Sequence, residues 1–352
     1  MILCDLLGMP LPIIQAPMAG VQGSALTVAV STAGGLGSLP CAALDLKTMR
    51  AELATIRRLT TRPFNVNFFC HQPPAPCADR ETIWRTALSP YFAEYGIDAD
   101  AIPTGPGRLP FSSEAADLLA EFRPAVVSFH FGLPAADLLA RVRGWGAKIL
   151  ASATTVAEAR WLAAHGADAI IAQGFEAGGH RGMFLATSLD TQVDTLALVP
   201  QVVAAVRVPV IAAGGIADAS GIAAAMALGA AGVQVGTAYL LCPEATTSAV
   251  HRAALQSEAA QNTAITNLFT GRPARGIVNR LMREIGPMSA AAPPFPLATS
   301  AIAALRAPAE SLGRDDFSPL WAGQNTRGCK AIPAAELTLE LARGFATASR
   351  GT

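Results

Sequence analysis

The sequence carries no excess of charge of either sign. Lys and Arg together number 26, as do Asp and Glu, so the formal net charge is zero. Such a chain has no general electrostatic attraction for nucleic acid or an anionic membrane, and neither is expected as a partner. No run of like charges forms a tail. Although 51% of the residues are hydrophobic, charged residues interrupt every apolar run before the roughly 20 residues that span a bilayer. The opening MILCDLLGMP has no basic region and meets Asp5 at once, so no secretion signal is expected. The six cysteines (Cys4, Cys41, Cys70, Cys77, Cys242, Cys329) show no CxxC spacing, which reads as reduced thiols of a cytoplasmic protein. The group Cys70, His71 and Cys77 fits no standard zinc spacing, and no metal is expected. The signatures GxxxxGK[ST], HExxH and GxSxG are missing, and GLGSLP lacks the third glycine of a dinucleotide loop.

What is present is an alternation. Eight β-rich runs can be picked out: Pro12 to Met18, Gly35 to Pro40, Phe64 to Phe69, Ala125 to Phe131, Lys148 to Thr154, Ala169 to Gly174, Val208 to Gly215, and Gly232 to Thr237. Several are continuously apolar, as strands covered on both faces are. Helical stretches lie between most of them, at 24–33, 48–59, 135–145, 156–165 and 219–228. Eight strands alternating with helices predict an α/β fold, a TIM (β/α)8 barrel, with an open doubly wound sheet as the alternative. The barrel is expected over residues 1–242, with an insertion at 71–124 after the third strand. From Pro243 the pattern reads as helical with no clear strands, giving a smaller helical substrate or lid domain at 243–329. A C-terminal helix at 330–352 is expected to return to the barrel.

In such barrels chemistry sits at the C-terminal ends of the strands. That places Gln15, Pro17, Met18, Asn67, His130, Gln173, Gly214, Gly215, Gly236 and Thr237 around the mouth. Amides, glycines and histidines with hardly any charge suit a large neutral ring with polar edges. Glycine pairs after strands seven and eight, with Asp218 and Ser220 near a helix start, suit a phosphate held by backbone amides. The alternative for each pair is a tight turn without a ligand. His180 follows the sixth strand in QGFEAGGHRG, where Gly178 and Gly179 bring the loop close to the mouth. Its imidazole can serve as a base or hydrogen-bond donor near neutral pH. Glu176 and Arg181 offer charges nearby. His130 points either into the mouth or into the core. His71, His165 and His251 read as ordinary surface or packing residues.

The segments QAPMAG, STAGGLGS, RPFNVNFF, SFHFG, AQGFEAGGHRG, VIAAGGIAD and VQVGT occur in this order, followed by TGRPARGIVNR (Thr270 to Arg280) and WAGQ (Trp321 to Gln324). Together they resemble the nitronate monooxygenase family, class I, over nearly the whole chain. The resemblance implies an FMN-containing barrel closed by a small helical domain. It implies that Ala16, Pro17 and Met18 lie along the flavin ring and that Asn67 and Gln173 bind it. Gly178, Gly179, Gly214, Gly215, Gln234, Val235, Gly236 and Thr237 would hold the ring edge, ribityl chain or phosphate. His180 matches the catalytic histidine, and His130 a histidine near the substrate. The implied reaction turns an alkyl nitronate, or a nitroalkane, and O2 into a carbonyl compound and nitrite, without metal or nicotinamide, in a monomer or homodimer. The stretch Pro294 to Arg306 lacks the tyrosines and lysine frequent in related sequences, and Phe295 would fill tyrosine space at the substrate end. The alternative is an FMN-dependent NAD(P)H reductase of the enoyl-acyl carrier protein or quinone type. HRG, TGRPARGIVNR and WAGQ weigh against it.

Overall fold

The computed structural model describes residues 1–75, 77–103 and 107–348. Eleven strands occur in chain order. They are β1 (Ile13–Gln15), β2 (Ser38–Pro40), β3 (Asn65–Phe69), β4 (Val126–His130), β5 (Lys148–Ala153), β6 (Ala169–Gln173), β7 (Gly179–His180), β8 (Val210–Ala213), β9 (Gly232–Val235), β10 (Thr263–Thr266) and β11 (Ala274–Ile277). The eight predicted runs are all strands of one parallel sheet, in the order β1-β9-β8-β6-β5-β4-β3-β2. Its two edges meet. Ile14 bridges Leu36 in parallel, and the Gln15 amide donates to the Leu36 carbonyl at 2.9 Å. The sheet is therefore a closed barrel, as the alternation predicts, and the doubly wound alternative falls.

The helices are α1 (Ile2–Leu7), α2 (Ser24–Thr32), α3 (Leu46–Leu59), α4 (Ala78–Glu94), α5 (Ser113–Phe122), α6 (Ala136–Gly144), α7 (Val156–Ala164), α8 (Thr195–Ala205), α9 (Ala219–Ala227), α10 (Ala249–Leu255), α11 (Arg280–Ile285), α12 (Thr299–Ser311) and α13 (Ala334–Ala348). Helix α3 shows why the ring forms. Met49, Leu53 and Ile56 recur at helical spacing and are buried, and the Asp45 side chain caps the helix by accepting from the Thr48 amide at 2.7 Å. Helix α1 plugs the barrel floor with Leu3 and Leu7 against Ile14, Leu150, Ile171 and Ile211. The plug explains Gly232: a Cβ there would lie 2.5 Å from Leu3 Cδ2.

Two regions differ from the sequence expectation. The stretch 71–124 includes α5, whose Ala115 and Leu119 pack with Met49 of α3 and Val142 of α6. Helix α5 is thus a regular member of the ring, and the added structure precedes it. The stretch after Pro243 is not purely helical. β10 and β11 pair antiparallel with each other, and β11 pairs with β7. These strands are four residues long and include Thr263, Arg275 and Gly276, so no apolar run announces them. Helix α4 of the added segment packs Trp84, Leu88 and Phe92 against Leu268, Leu281, Ile302 and Phe317, a second core above the barrel mouth. Arg280 clamps this layer, pairing with Glu94 at 2.8 Å. Helix α13 returns to the barrel and joins Leu337 and Leu341 to the core beneath α2 and α9. Among the described residues no helix is long and apolar enough to cross a membrane.

Candidate active site

The second layer leaves a cleft over the mouth enclosing about 1280 Å³, its open side included. Ala16, Pro17 and Met18 line one wall, on a loop fixed by Gln22. That side chain accepts from Gln15 Nε2 at 2.6 Å and from the Met18 amide at 3.1 Å. Asn67 reaches the cleft from β3 and donates to Ser128 Oγ at 2.9 Å. Gln173 reaches it from β6. Gly178, Gly179, Gly214, Gly215, Gln234, Gly236 and Thr237 complete the expected lining. The two layers touch backbone to backbone here. A Cβ on Gly178 would lie 2.5 Å from the Gly323 nitrogen and 2.6 Å from the Ala322 carbonyl carbon.

His180 is 9% exposed. Its strand is paired in register with the TGRPARG segment, His180 facing Ala274. That same segment supplies Thr270, whose Oγ1 stands 2.9 Å from His180 Nε2. The His180 carbonyl accepts from Gln173 Nε2 at 3.0 Å and from His130 Nε2 at 3.1 Å. Gln173 Oε1 accepts from the Gly182 amide at 2.8 Å, so one side chain braces the loop on both sides of His180. Rings of Phe131, Phe295 and Trp321 surround the imidazole with centroids 5.3 to 5.9 Å away. Phe131 holds a positive φ of 69°, rare for a bulky residue, under the Arg272 guanidinium at 3.9 Å.

Burial pushes the His180 pKa well down, and the nearby Arg108, His130, Arg272 and His71 push it further. Burial also draws His130 down to about 4, against the hydrogen bond to the His180 carbonyl. Both rings are neutral at physiological pH. No Asp or Glu lines the cleft among the described residues, and Arg108 is the only lining residue with a permanent charge.

Three predicted residues lie elsewhere. Gln15 does not line the cleft: it is fully buried, its side-chain amide engaged with Gln22. Val235 is 1% exposed in the core between barrel and helices. Side chains alternate along a strand, so Gln234 faces the mouth and Val235 faces away. Only its carbonyl serves the site, accepting from the Ala16 amide at 2.8 Å. Phe295 does not line the cleft. It sits one layer back, in an aromatic cluster with Phe69 and Phe131, edge-on to His180. His130 points to the mouth, resolving its two readings. Glu176 and Arg181 are committed structurally. Glu176 accepts from the Thr195 amide and hydroxyl, and Arg181 donates to the carbonyls of Gln173 and Gly174.

The site also holds groups outside the sequence expectation: Arg108, Thr270, Trp321, Gly323 and Asn325, with His251 on the cleft wall. His251 is 3% exposed, and its Nε2 has no partner among the described residues. His71 is buried and donates from Nε2 to the Arg108 carbonyl at 3.0 Å. The segments TGRPARG and WAGQ were the available signal for Thr270, Trp321 and Gly323. Nothing local marks Arg108.

A closed barrel with glycine-rich ends on β8 and β9 and buried imidazoles over its mouth defines a barrel protein with a concave ligand site at the strand ends. The family model described as nitronate monooxygenase matches residues 1–344. A nitronate monooxygenase from Paraburkholderia phytofirmans is 44% identical over 349 residues, covering 97% of this chain and 94% of that one. One from Pseudomonas aeruginosa is 44% identical over 94% of this chain and 95% of its own length. A nitroalkane oxidase from Streptomyces ansochromogenes superposes with a TM-score of 0.90 at 40% identity, covering 100% of this chain and 99% of that one. FabK from Thermotoga maritima superposes with a TM-score of 0.75 at 27% identity, covering 99% and 97%. The chain belongs to the nitronate monooxygenase family, a family of flavoenzymes.

Proposed function

We propose that this chain is an FMN-dependent nitronate monooxygenase, taking alkyl nitronates, and nitroalkanes through them, with O2 to carbonyl compounds and nitrite. The observation that carries the reading is a neutral, desolvated His180, ordered by Thr270, in a cleft without a carboxylate. An anion placed there meets no carboxylate repulsion, and the desolvation it suffers has to be offset by donors of the cleft.

The cleft suits FMN by three measures. Its lining runs over the ends of most of the barrel strands, with amides and glycines facing an apolar wall. Gly178 leaves room that any side chain would fill. Gln234 Oε1 is buried without a partner among the described residues, an acceptor waiting for a donor. Ala16 to Met18 would flank the ring, Asn67 and Gln173 would reach its polar edge, and Gly214, Gly215, Gly236 and Thr237 would hold the phosphate. Bound FMN supplies the one-electron chemistry that couples an organic anion to dioxygen.

The residues of the chain do the rest. With the Thr270 hydroxyl turned to the Arg272 carbonyl, 3.5 Å away, His180 Nε2–H would donate to it and Nδ1 would be the basic nitrogen. That nitrogen takes the α-proton of a neutral nitroalkane, while a preformed nitronate needs no such transfer. Trp321, Leu240, Val21 and Met18 add apolar surface to the cleft lining. We place the enzyme in the cytoplasm, as a monomer or homodimer; the six cysteines are unpaired.

The test is oxygen consumption and nitrite release by purified protein supplied with alkyl nitronates, alongside its visible spectrum. Bands of bound oxidised flavin and stoichiometric nitrite are expected. A colourless protein that cannot be reconstituted with FMN, or no turnover of any nitronate, overturns the reading. Rapid bleaching by NADH without air would favour the reductase alternative.

A further inference from the structure

We infer that Arg108 is the anion-holding residue of the cleft, its guanidinium gripping a planar two-oxygen anion of the substrate beside His180. That anion is the nitronate group itself or a carboxylate further along the same molecule. The inference rests on the proposed function and names the group that recognises the substrate's charge.

Among the described residues, the other arginines near the cleft have partners within the chain, although Arg272 Nε itself is unpaired. Arg181 donates to the carbonyls of Gln173 and Gly174 and to Gln192. Arg275 donates to the Phe175 carbonyl at 3.0 Å. Arg272 donates to the Met183 carbonyl and lies over the Phe131 ring. Arg306, on the helix flanking the mouth, pairs with Glu310 at 2.6 Å. Arg108 differs. Its backbone is pinned by the His71 bond to its carbonyl, and its side chain lines the cleft with His180 and Trp321. No hydrogen bond, ion pair or ring contact engages its guanidinium among the described residues.

Physical chemistry makes this arrangement costly without a ligand. Burial alone draws the Arg108 pKa down. A desolvated cation with no counter-charge is unfavourable, and among the described residues no carboxylate lines the cleft to relieve it. A guanidinium presents parallel N–H donors that match two oxygens on one centre. Nitronate and carboxylate share that shape. Among the charges that lower the His180 pKa, Arg108 has the largest effect, and the two side chains line the same cleft.

The test uses the holoenzyme and the variants Arg108→Met, Arg108→Gln and Arg108→Lys. Two nitronates are compared, propyl-1-nitronate and propionate-3-nitronate, and propionate is titrated as a dead-end anion through the visible spectrum. Losing a charged hydrogen-bonded contact should cut kcat/KM for the recognised anion by about 10- to 100-fold in Met and Gln, with partial rescue by Lys. Loss on both nitronates assigns the nitronate group. Loss on propionate-3-nitronate alone, with weaker propionate binding, assigns the carboxylate. Changes within about twofold on both nitronates and on propionate, in variants that retain flavin, overturn the inference. If the wild-type protein consumes neither nitronate, the proposed function falls, and the propionate titration still judges Arg108 on its own.

Discussion

His180 and Thr270 lie 90 residues apart in sequence and 2.9 Å apart in space, joined between Nε2 and Oγ1. The β7–β11 pairing enforces this distance, because the same segment that carries Thr270 turns directly into β11. The imidazole is thus oriented from outside the barrel while its backbone is held from inside.

Thr270→Val keeps the shape and removes the partner. The ring loses its fixed tautomer and a buried nitrogen is left unpaired, a cost of about 1–3 kcal/mol. We expect kcat/KM for nitronates to fall by about 10-fold with flavin content unchanged. Steady-state oxygen uptake checks this; unaltered kinetics would show that Thr270 does not orient His180.

His180→Asn separates the two roles of the imidazole. Neutral nitroalkanes need a base and should lose activity by about 100-fold or more, while preformed nitronates lose far less. Equal losses on both substrate forms would rule out the base role.

Acid should weaken the fold through its buried histidines. His130 and His251 are both held at about 4 in the folded protein, chiefly by burial, against an ordinary value of 6.5. Below 6.5 the unfolded chain takes up protons that the folded chain refuses. Each histidine therefore contributes its full stabilisation above pH 6.5 and loses it as pH falls toward 4. The ceiling is about 3 kcal/mol per group. Melting temperature should drop across this window, and His251→Gln should flatten the drop. A flat profile from pH 7 to pH 4 would contradict the burial argument.

Gly178→Ala and Gly179→Ala should fail differently. At Gly178 the new methyl would strike the Gly323 backbone at 2.5 Å, forcing the two layers apart. At Gly179 the space is open, but φ is 72°, where a side chain costs about 1 kcal/mol. We expect the first variant to lose flavin on gel filtration and the second to keep it with a slightly lower melting temperature. The reverse order would mean that backbone strain, not layer contact, governs the cleft.

Much of this architecture was legible because its signals are local. The eight barrel strands are short, largely apolar runs, most of them bounded by Gly or Pro. His180 sits two residues after a glycine that only a close approach requires. The remainder is not local. Thr270 and Arg108 acquire meaning only when distant segments pair over the mouth. Val235 was assigned to the site with Gln234 because adjacency in sequence hides the alternation of side chains across a strand. β10 and β11 are held by their ladder, not by apolar character, so composition says little about them.

The placement of α13 has a further consequence. It packs against α2 and α9, filling the place of the helix that should follow the last barrel strand β9. Everything from Thr237 to Pro333 is therefore one long loop between the eighth strand and the eighth helix. Both of its ends are anchored in the same rigid wall, so it cannot swing on a single hinge as an appended domain would. Access to His180 has to come from bending within that loop or from the α4 segment facing it. A nascent chain also lacks the finished helical ring, and with it a closed cleft, until its final turn has been made.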